Sequence, residues 1–116
     1  MAELRIEGSE LTLRLSTGEK LGGVHGDLRV PLSSVQGVEV LEDAHEPVDR
    51  GLKVGERLPG VVEVGTIHVD GKKIFAAVHH GTPRGVRVIL EGGNFDEWIV
   101  GSTDPEAVVA ALSLPR

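Results

Sequence analysis

Three histidines, His68, His79 and His80, are the side chains of this sequence best suited to bind a metal ion. A metal site requires its ligands to converge on one point within a few ångströms. If Asp70-Gly71 forms a two-residue hairpin turn, His68 pairs with Lys73 across that hairpin. His79 then lies roughly 20 Å further along the strand, and His80 points to the opposite face. The spacing therefore predicts solvated strand ends, and we expect no metal or other cofactor.

Candidate catalytic side chains are few and scattered along the chain. His25 and Asp27 have the residue types of a general base and its orienting carboxylate, and so do His45 and Asp49. The sequence lacks a Gly-x-Ser-x-Gly nucleophile elbow, and turn chemistry accounts for the Ser33-Ser34 pair. We therefore predict that the chain is not an enzyme. The alternative is a small enzyme that uses these four His and Asp residues, and it requires their side chains to converge in one cleft.

The densest charge in the sequence lies in the segment Glu42–Gly60, which also contains several Gly and Pro residues. This composition predicts a long surface loop with room for one helical turn, and loops of that length are often functional. A charge run is usually a solvated face, but it can also dock a protein of complementary charge. The predicted partner-binding residues are Glu42, Asp43, Glu46, Asp49, Arg50 and Arg57.

Length and composition restrict the class of protein. A chain of 116 residues is expected to form a single domain over residues 1–116. The net charge of −6 argues against a protein that binds nucleic acid and against electrostatic adhesion to anionic lipid. No apolar run approaches the roughly 20 residues of a membrane-spanning helix, and the N-terminus has no signal-peptide pattern. We therefore expect a cytoplasmic protein.

Alternating apolar and polar residues predict β-strands through most of the chain. Leu4–Glu7 and Leu11–Leu15 read as a hairpin with one buried face. Val61–Val69 and Lys72–His79 flank Asp-Gly, which is the strongest hairpin signal in the sequence. Further strands are predicted after each later turn, up to Val100. Strands joined by short turns at this spacing predict antiparallel sheets.

One helix is predicted at the end of the chain, over residues 104–113. Asp104 can cap the free N–H groups of its first turn, and Pro105 suits the first helical position. Val108 and Leu112 then lie on one apolar stripe. A helix this short is marginal alone, so the stripe must dock on the strands.

Four segments, taken in order, resemble the bacterial PH-like (pleckstrin-homology-like) domains. They are Pro31–Val38, Gly55–Gly60 followed by Gly65, Val86–Leu90 with the strand after it, and Asp104-Pro105-Glu106. The resemblance covers most of the chain. It implies a split barrel of two nearly orthogonal antiparallel sheets, about seven strands in all, capped by the C-terminal helix.

The resemblance also implies a binding role, because PH-like folds bind phosphoinositides, peptides or protein partners. Phosphoinositide binders carry Lys and Arg around the first hairpin loop, whereas the loop here is Glu7-Gly8-Ser9-Glu10. We therefore expect a non-enzymatic module that binds a protein or peptide, including a second copy through an exposed sheet edge. The alternative is a carrier of a small apolar ligand or lipid, since a core with few aromatic residues leaves room for a cavity.

Overall fold

The computed structural model describes residues 3–15, 28–50, 52–58, 62–79 and 81–113. Within these ranges the chain forms nine strands, two α-helices and one 3-10 helix. In chain order they are β1 (Glu3–Glu7), β2 (Glu10–Arg14), β3 (Leu28–Pro31), the 3-10 helix (Leu32–Ser34), β4 (Val35–Leu41), α1 (His45–Arg50), β5 (Leu52–Leu58), β6 (Val62–Val69), β7 (Lys72–His79), β8 (Gly85–Leu90), β9 (Glu97–Gly101) and α2 (Pro105–Leu112).

The strands form two sheets. The smaller is antiparallel with the order β1-β2-β3, and the larger has six strands in the order β4-β8-β9-β7-β6-β5. The 3-10 helix carries the chain directly from the end of β3 to the start of β4, so it links the two sheets. The predicted mainly-β fold with a C-terminal helix is confirmed, although the described residues contain nine strands instead of about seven.

The prediction that all strands pair antiparallel is wrong for one pair. β9 lies between β8 and β7, antiparallel to the first and parallel to the second. β8 pairs with β4 and β9 and not with β7. After β7 the chain therefore skips one strand position to form β8, and β9 then occupies the position between them. Side-chain alternation looks the same in both pairing directions, and the turn residues therefore could not reveal this arrangement.

The prediction of a loop over Glu42–Gly60 is also wrong in part, because this segment contains the strand β5, whereas α1 is a short helix in the place where the prediction left room for one helical turn. The Asp43 carboxylate starts α1 by accepting hydrogen bonds from the backbone N–H groups of His45 and Glu46, at 3.1 and 3.3 Å. β5 pairs with β6 over its full length, with Gly55 opposite Gly65. This pairing across the hairpin overrides the loop-like composition, since strand formation depends strongly on neighbouring strands.

The predicted hairpin between β6 and β7 is confirmed. Asp70 and Gly71 both have positive φ, at 52° and 78°, as a two-residue type I′ turn requires. The turn sets the register that places His68 opposite Lys73. The sequence signal and the structure agree here because the turn residues themselves determine the geometry.

The main core lies between the two sheets. Its largest buried members are Trp98 and Phe75 from the larger sheet, packed with Leu11 and Leu13 of β2. The other face of the larger sheet holds a second apolar cluster, which includes Ile67, Ile74, Ala76, Val78 and Ile99. Because both faces are covered, β7 and β9 are nearly continuous apolar runs rather than alternating ones.

The C-terminal helix closes one side of the main core. Asp104 caps it by accepting a hydrogen bond from the Ala107 N–H at 3.3 Å, and Pro105 is its first residue. Leu112 is buried, and Val108 is partly buried against the same core cluster. The predicted cap and apolar stripe are both confirmed.

Candidate functional site

Strand β1 forms an edge of the smaller sheet, and among the described residues it pairs only with β2. An edge strand presents unpaired backbone N–H and C=O groups on its outer side. Leu4 and Ile6 lie opposite Leu13 and Leu11, so these four side chains share the inner face of the sheet. Ile6 nevertheless remains 44% exposed, more than any other large hydrophobic side chain among the described residues. The inner face is therefore incompletely covered at this edge.

An apolar groove of about 370 Å³ lies between β1 and α2. Buried Leu11 and Leu112 contribute to its lining, as do Ala107 and Ala111, which are exposed on the helix. We call this the edge groove, and its residues are Leu4, Ile6, Leu11, Ala107, Val108, Ala111 and Leu112. An additional strand beside β1 would place alternate side chains on the face of Leu4 and Ile6, towards this groove.

The outer face of β1 carries alternating charges. Glu3 and Arg5 form an exposed ion pair at 2.9 Å. Glu7 accepts hydrogen bonds from Arg14 at 2.7 Å and from the Thr12 hydroxyl at 3.0 Å. The Arg14 hydrogen bond is the main reason that the pKa of Glu7 lies below its ordinary value of 4.5. The Glu7 carboxylate is therefore held in its charged form by two side chains of β2.

Among the residues predicted to bind a partner from the Glu42–Gly60 segment, two make contacts within the molecule. Glu42 pairs with Arg84 at 2.9 Å, and Asp43 caps α1. Glu46 is exposed in the first turn of that helix. Asp49 and Arg50 belong to α1 and Arg57 belongs to β5, but the orientations of their side chains lie outside the description. The described members are all exposed and lie at or just before the start of α1, and their role in binding a partner stays a prediction.

Arg84 joins two distant parts of the chain, because its guanidinium contacts both Glu42 and Glu106 of α2. Hydrogen bonding to Arg84 lowers the pKa of Glu106 below its ordinary value of 4.5, and the same contacts raise the pKa of Arg84. This cluster ties the start of α2 to the turn before β8. Its charges are engaged within the molecule.

The histidines do not form a metal-binding cluster in the described part of the chain. His68 is exposed on β6, whereas the His45 ring Nε2 lies 2.8 Å from the His79 carbonyl oxygen and docks α1 against the end of β7. His25, Asp27 and His80 lie outside the described residues. Over the ranges that the structure covers, no three His, Cys, Asp or Glu side chains are grouped as metal ligands.

Sequence reasoning missed the edge groove. The alternation of Leu4 and Ile6 with charged residues marks one face of β1 for burial, which is a correct but incomplete reading. That Ile6 stays exposed follows from the position of β1 at the edge and from the placement of α2, which are both tertiary features. The local signal for the groove was the run of small residues on α2, since Ala107, Ala110 and Ala111 are exposed to solvent.

Comparison of the chain with family models, with curated proteins and with solved structures finds no match. None of the helices in the described part of the chain has the length and apolar character needed to cross a membrane.

Proposed function

We propose that this chain is a non-enzymatic interaction module that binds an extended segment of a protein partner as an additional strand on β1. The observation that supports it is the exposure of Ile6 on an edge strand that opens onto the edge groove. Strand addition supplies affinity through main-chain hydrogen bonds, and pockets for alternate side chains supply specificity. The edge strand and the groove correspond to these two requirements.

The charges of β1 define the chemistry of the partner strand. Residues directly opposite one another in a sheet interact, so the favoured neighbour of Glu3 is basic and that of Arg5 is acidic. Apolar residues are favoured beside Leu4 and Ile6, where they enter the edge groove. A basic residue opposite Glu7 completes the pattern basic–apolar–acidic–apolar–basic. This pattern is the same in both directions, so it does not depend on whether the added strand is parallel or antiparallel.

A second copy of the chain fits this edge less well. If β1 paired antiparallel with β1 of another copy over its full length, Arg5 would face Arg5 and Glu3 would face Glu7. Like charges directly opposite each other destabilise a strand pair. The charge pattern therefore favours a different protein over self-association at β1.

The test uses a synthetic peptide that contains Lys-Val-Glu-Val-Lys between flexible ends. Hydrogen exchange measured by mass spectrometry should show that the peptide slows amide exchange in β1. The Ile6→Lys variant should bind the peptide at least about tenfold more weakly, because it places a charge at the apolar groove. The matched control is Ile89→Lys, which changes the other exposed isoleucine, on β8.

Equal binding by the Ile6→Lys and Ile89→Lys variants would contradict the proposal, and so would protection confined to strands other than β1. Light scattering of the unliganded chain provides a separate check. If the unliganded chain is a dimer and Ile6→Lys dissociates it, the occupant of the β1 edge is a second copy of the chain and not a different protein.

The PH-like identity of the scaffold stays a prediction. The parallel β7–β9 pair departs from the antiparallel sheets that the resemblance implies. The peptide-binding proposal depends only on β1 and α2, so it does not require the family assignment.

A further inference from the structure

The edge groove continues past Leu4 into a second, smaller concavity of about 190 Å³. Leu4 and Val108 line both, so the two lie side by side along β1, the larger beside Ile6 and the smaller towards Glu3. We call the smaller one the hydroxyl pocket, and its described lining is Glu3, Leu4, Val86, Val100, Gly101, Ser102, Thr103 and Val108. A strand added beside β1 therefore meets two different surfaces on its inner side.

The two surfaces differ in chemistry as well as in volume. Every described residue of the edge groove is aliphatic. The floor of the hydroxyl pocket is also apolar, because it includes the buried core residues Val86 and Val100. Its rim, however, includes Ser102 and Thr103 from the segment that joins β9 to α2, and each of them carries a hydroxyl group.

The sheet directs the Ser102 side chain towards this pocket. The Ser102 N–H donates to the Arg84 carbonyl oxygen at 2.9 Å, so the pairing of β8 with β9 extends one residue beyond the end of β9. Side chains alternate along a strand, which places Ser102 on the same face as Val100. The Ser102 Oγ accepts a hydrogen bond from the Asp104 N–H at 3.2 Å, and a hydroxyl group that accepts can also donate its own hydrogen.

A neutral occupant fits this pocket better than a charged one. Glu3 is the one charged residue in the described lining, and its carboxylate pairs with Arg5 on the outer face of β1, at 2.9 Å. A charged side chain in the pocket would therefore lie over buried valines without a counter-ion, which is unfavourable. A small side chain with one hydroxyl group matches the volume, the apolar floor and the Ser102 hydroxyl.

We propose that the hydroxyl pocket selects threonine at the partner position beside Leu4, while the edge groove selects a bulkier aliphatic residue beside Ile6. Threonine selection rests on the strand addition proposed for β1 and names the inward residues of the partner. Threonine is favoured in strands, and in the pocket its methyl group packs on the valine floor while its hydroxyl oxygen accepts a hydrogen bond from Ser102. A parallel partner then reads basic–Thr–acidic–aliphatic–basic, and an antiparallel partner has the reverse order.

Two peptides with the same composition test the selection. They contain Lys-Thr-Glu-Leu-Lys and Lys-Leu-Glu-Thr-Lys between identical flexible ends, so only the two inward residues change places. Calorimetry should show that one of them binds about tenfold more tightly, because it alone combines a larger side chain in the edge groove with a hydrogen bond in the hydroxyl pocket. Valine in place of threonine in that peptide keeps the shape but removes the hydroxyl, and it should weaken binding about threefold.

Matched variants assign each effect to its surface. Ser102→Ala should abolish the advantage of threonine over valine, whereas Ser113→Ala, at the exposed C-cap of α2 outside both linings, should retain it. Ala111→Leu fills the edge groove and should weaken binding of the tighter peptide at least about threefold, whereas Ala110→Leu, outside the groove lining, should not. Both alanines are exposed, so leucine at either position leaves the core undisturbed.

Equal affinities of the two peptides, with both of them slowing amide exchange in β1, would overturn threonine selection and leave strand addition standing. A threonine preference that Ser102→Ala does not change would also overturn it, and so would equal effects of Ala111→Leu and Ala110→Leu. Failure of every peptide to bind would contradict strand addition and threonine selection together. Circular dichroism of each variant establishes that a lost signal reflects lost binding rather than unfolding.

Discussion

The Glu97 carboxylate is the most deeply buried acidic group among the described residues, with 6% of its side chain exposed. It accepts a hydrogen bond from the Lys72 ammonium at 3.1 Å. The Arg87 Nε also lies 3.1 Å away, in a geometry that makes an ion pair rather than a hydrogen bond. Arg87 in turn reaches Glu39 at the edge of the sheet, at 2.7 Å. The network links four strands on one face of the larger sheet.

Replacing Glu97 with Ala should therefore destabilise the fold by about 3 kcal/mol, because it leaves the partly buried Arg87 without its inner partner. The matched change is Glu39→Ala, which removes a 50% exposed partner of the same arginine and should cost below about 1 kcal/mol. Urea unfolding of the two variants measures both values. Equal losses would show that burial does not determine the strength of this network.

At this scale, the sequence predicted the residues whose roles are local. Asp104 and Pro105 act on the backbone groups next to them, so their types alone indicate a helix start. Glu97 could not be identified in the same way, since Lys72 and Arg87 come from other strands. The partner residues predicted from the acidic run were chosen by charge density, which does not reveal that Asp43 is used as a helix cap.

β8 and β9 pair one glycine with another at Gly85 and Gly101. A Cβ atom added at Gly85 would collide with the Val100 carbonyl oxygen and would lie 3.0 Å from the Ala44 Cβ. Ala44 comes just before α1, so this glycine lets the segment before α1 pack against the start of β8. A side chain here would have to separate these elements.

Gly85→Ala is expected to lower the free energy of unfolding by about 2 kcal/mol, the cost of overpacking a tight site. Gly37→Ala is the control, because a Cβ atom there would meet only Ile89 Cδ1 at 3.7 Å. That change should be neutral or stabilise β4 by about 0.5 kcal/mol, since glycine is unfavourable inside a strand. Thermal unfolding of both variants would test the difference, and a tolerated Gly85→Ala would contradict the close packing.

The elements that could be predicted from the sequence are those with local signals, such as the Asp70-Gly71 hairpin and the capped helix α2. β5 was missed because its Gly55 and its charges are typical of loops, and only pairing with β6 makes it a strand. The parallel β7–β9 pair was missed for a related reason. Its direction depends on where β8 lies in the sheet, which no local pattern encodes.

At the scale of the whole molecule, two sheets and a helix enclose one main core, and within the described ranges β1 has no strand on its outer side. α2 covers the inner face of the smaller sheet only in part, and the edge groove is what remains uncovered. The position of the groove follows from how these three parts meet. The sequence predicted an exposed sheet edge as a binding surface in general terms, but it could not say which edge was available.

The most direct measurement of the proposed function is the ratio of two peptide affinities, determined by calorimetry for the unaltered chain and for Arg5→Glu. The peptides contain Lys-Val-Glu-Val-Lys and Lys-Val-Lys-Val-Lys, so they differ only in the charge of the central residue opposite Arg5. The unaltered chain should prefer the Glu-centred peptide about fivefold, and Arg5→Glu should reverse that preference. The same preference in both proteins, or no binding of either peptide, would contradict strand addition at β1.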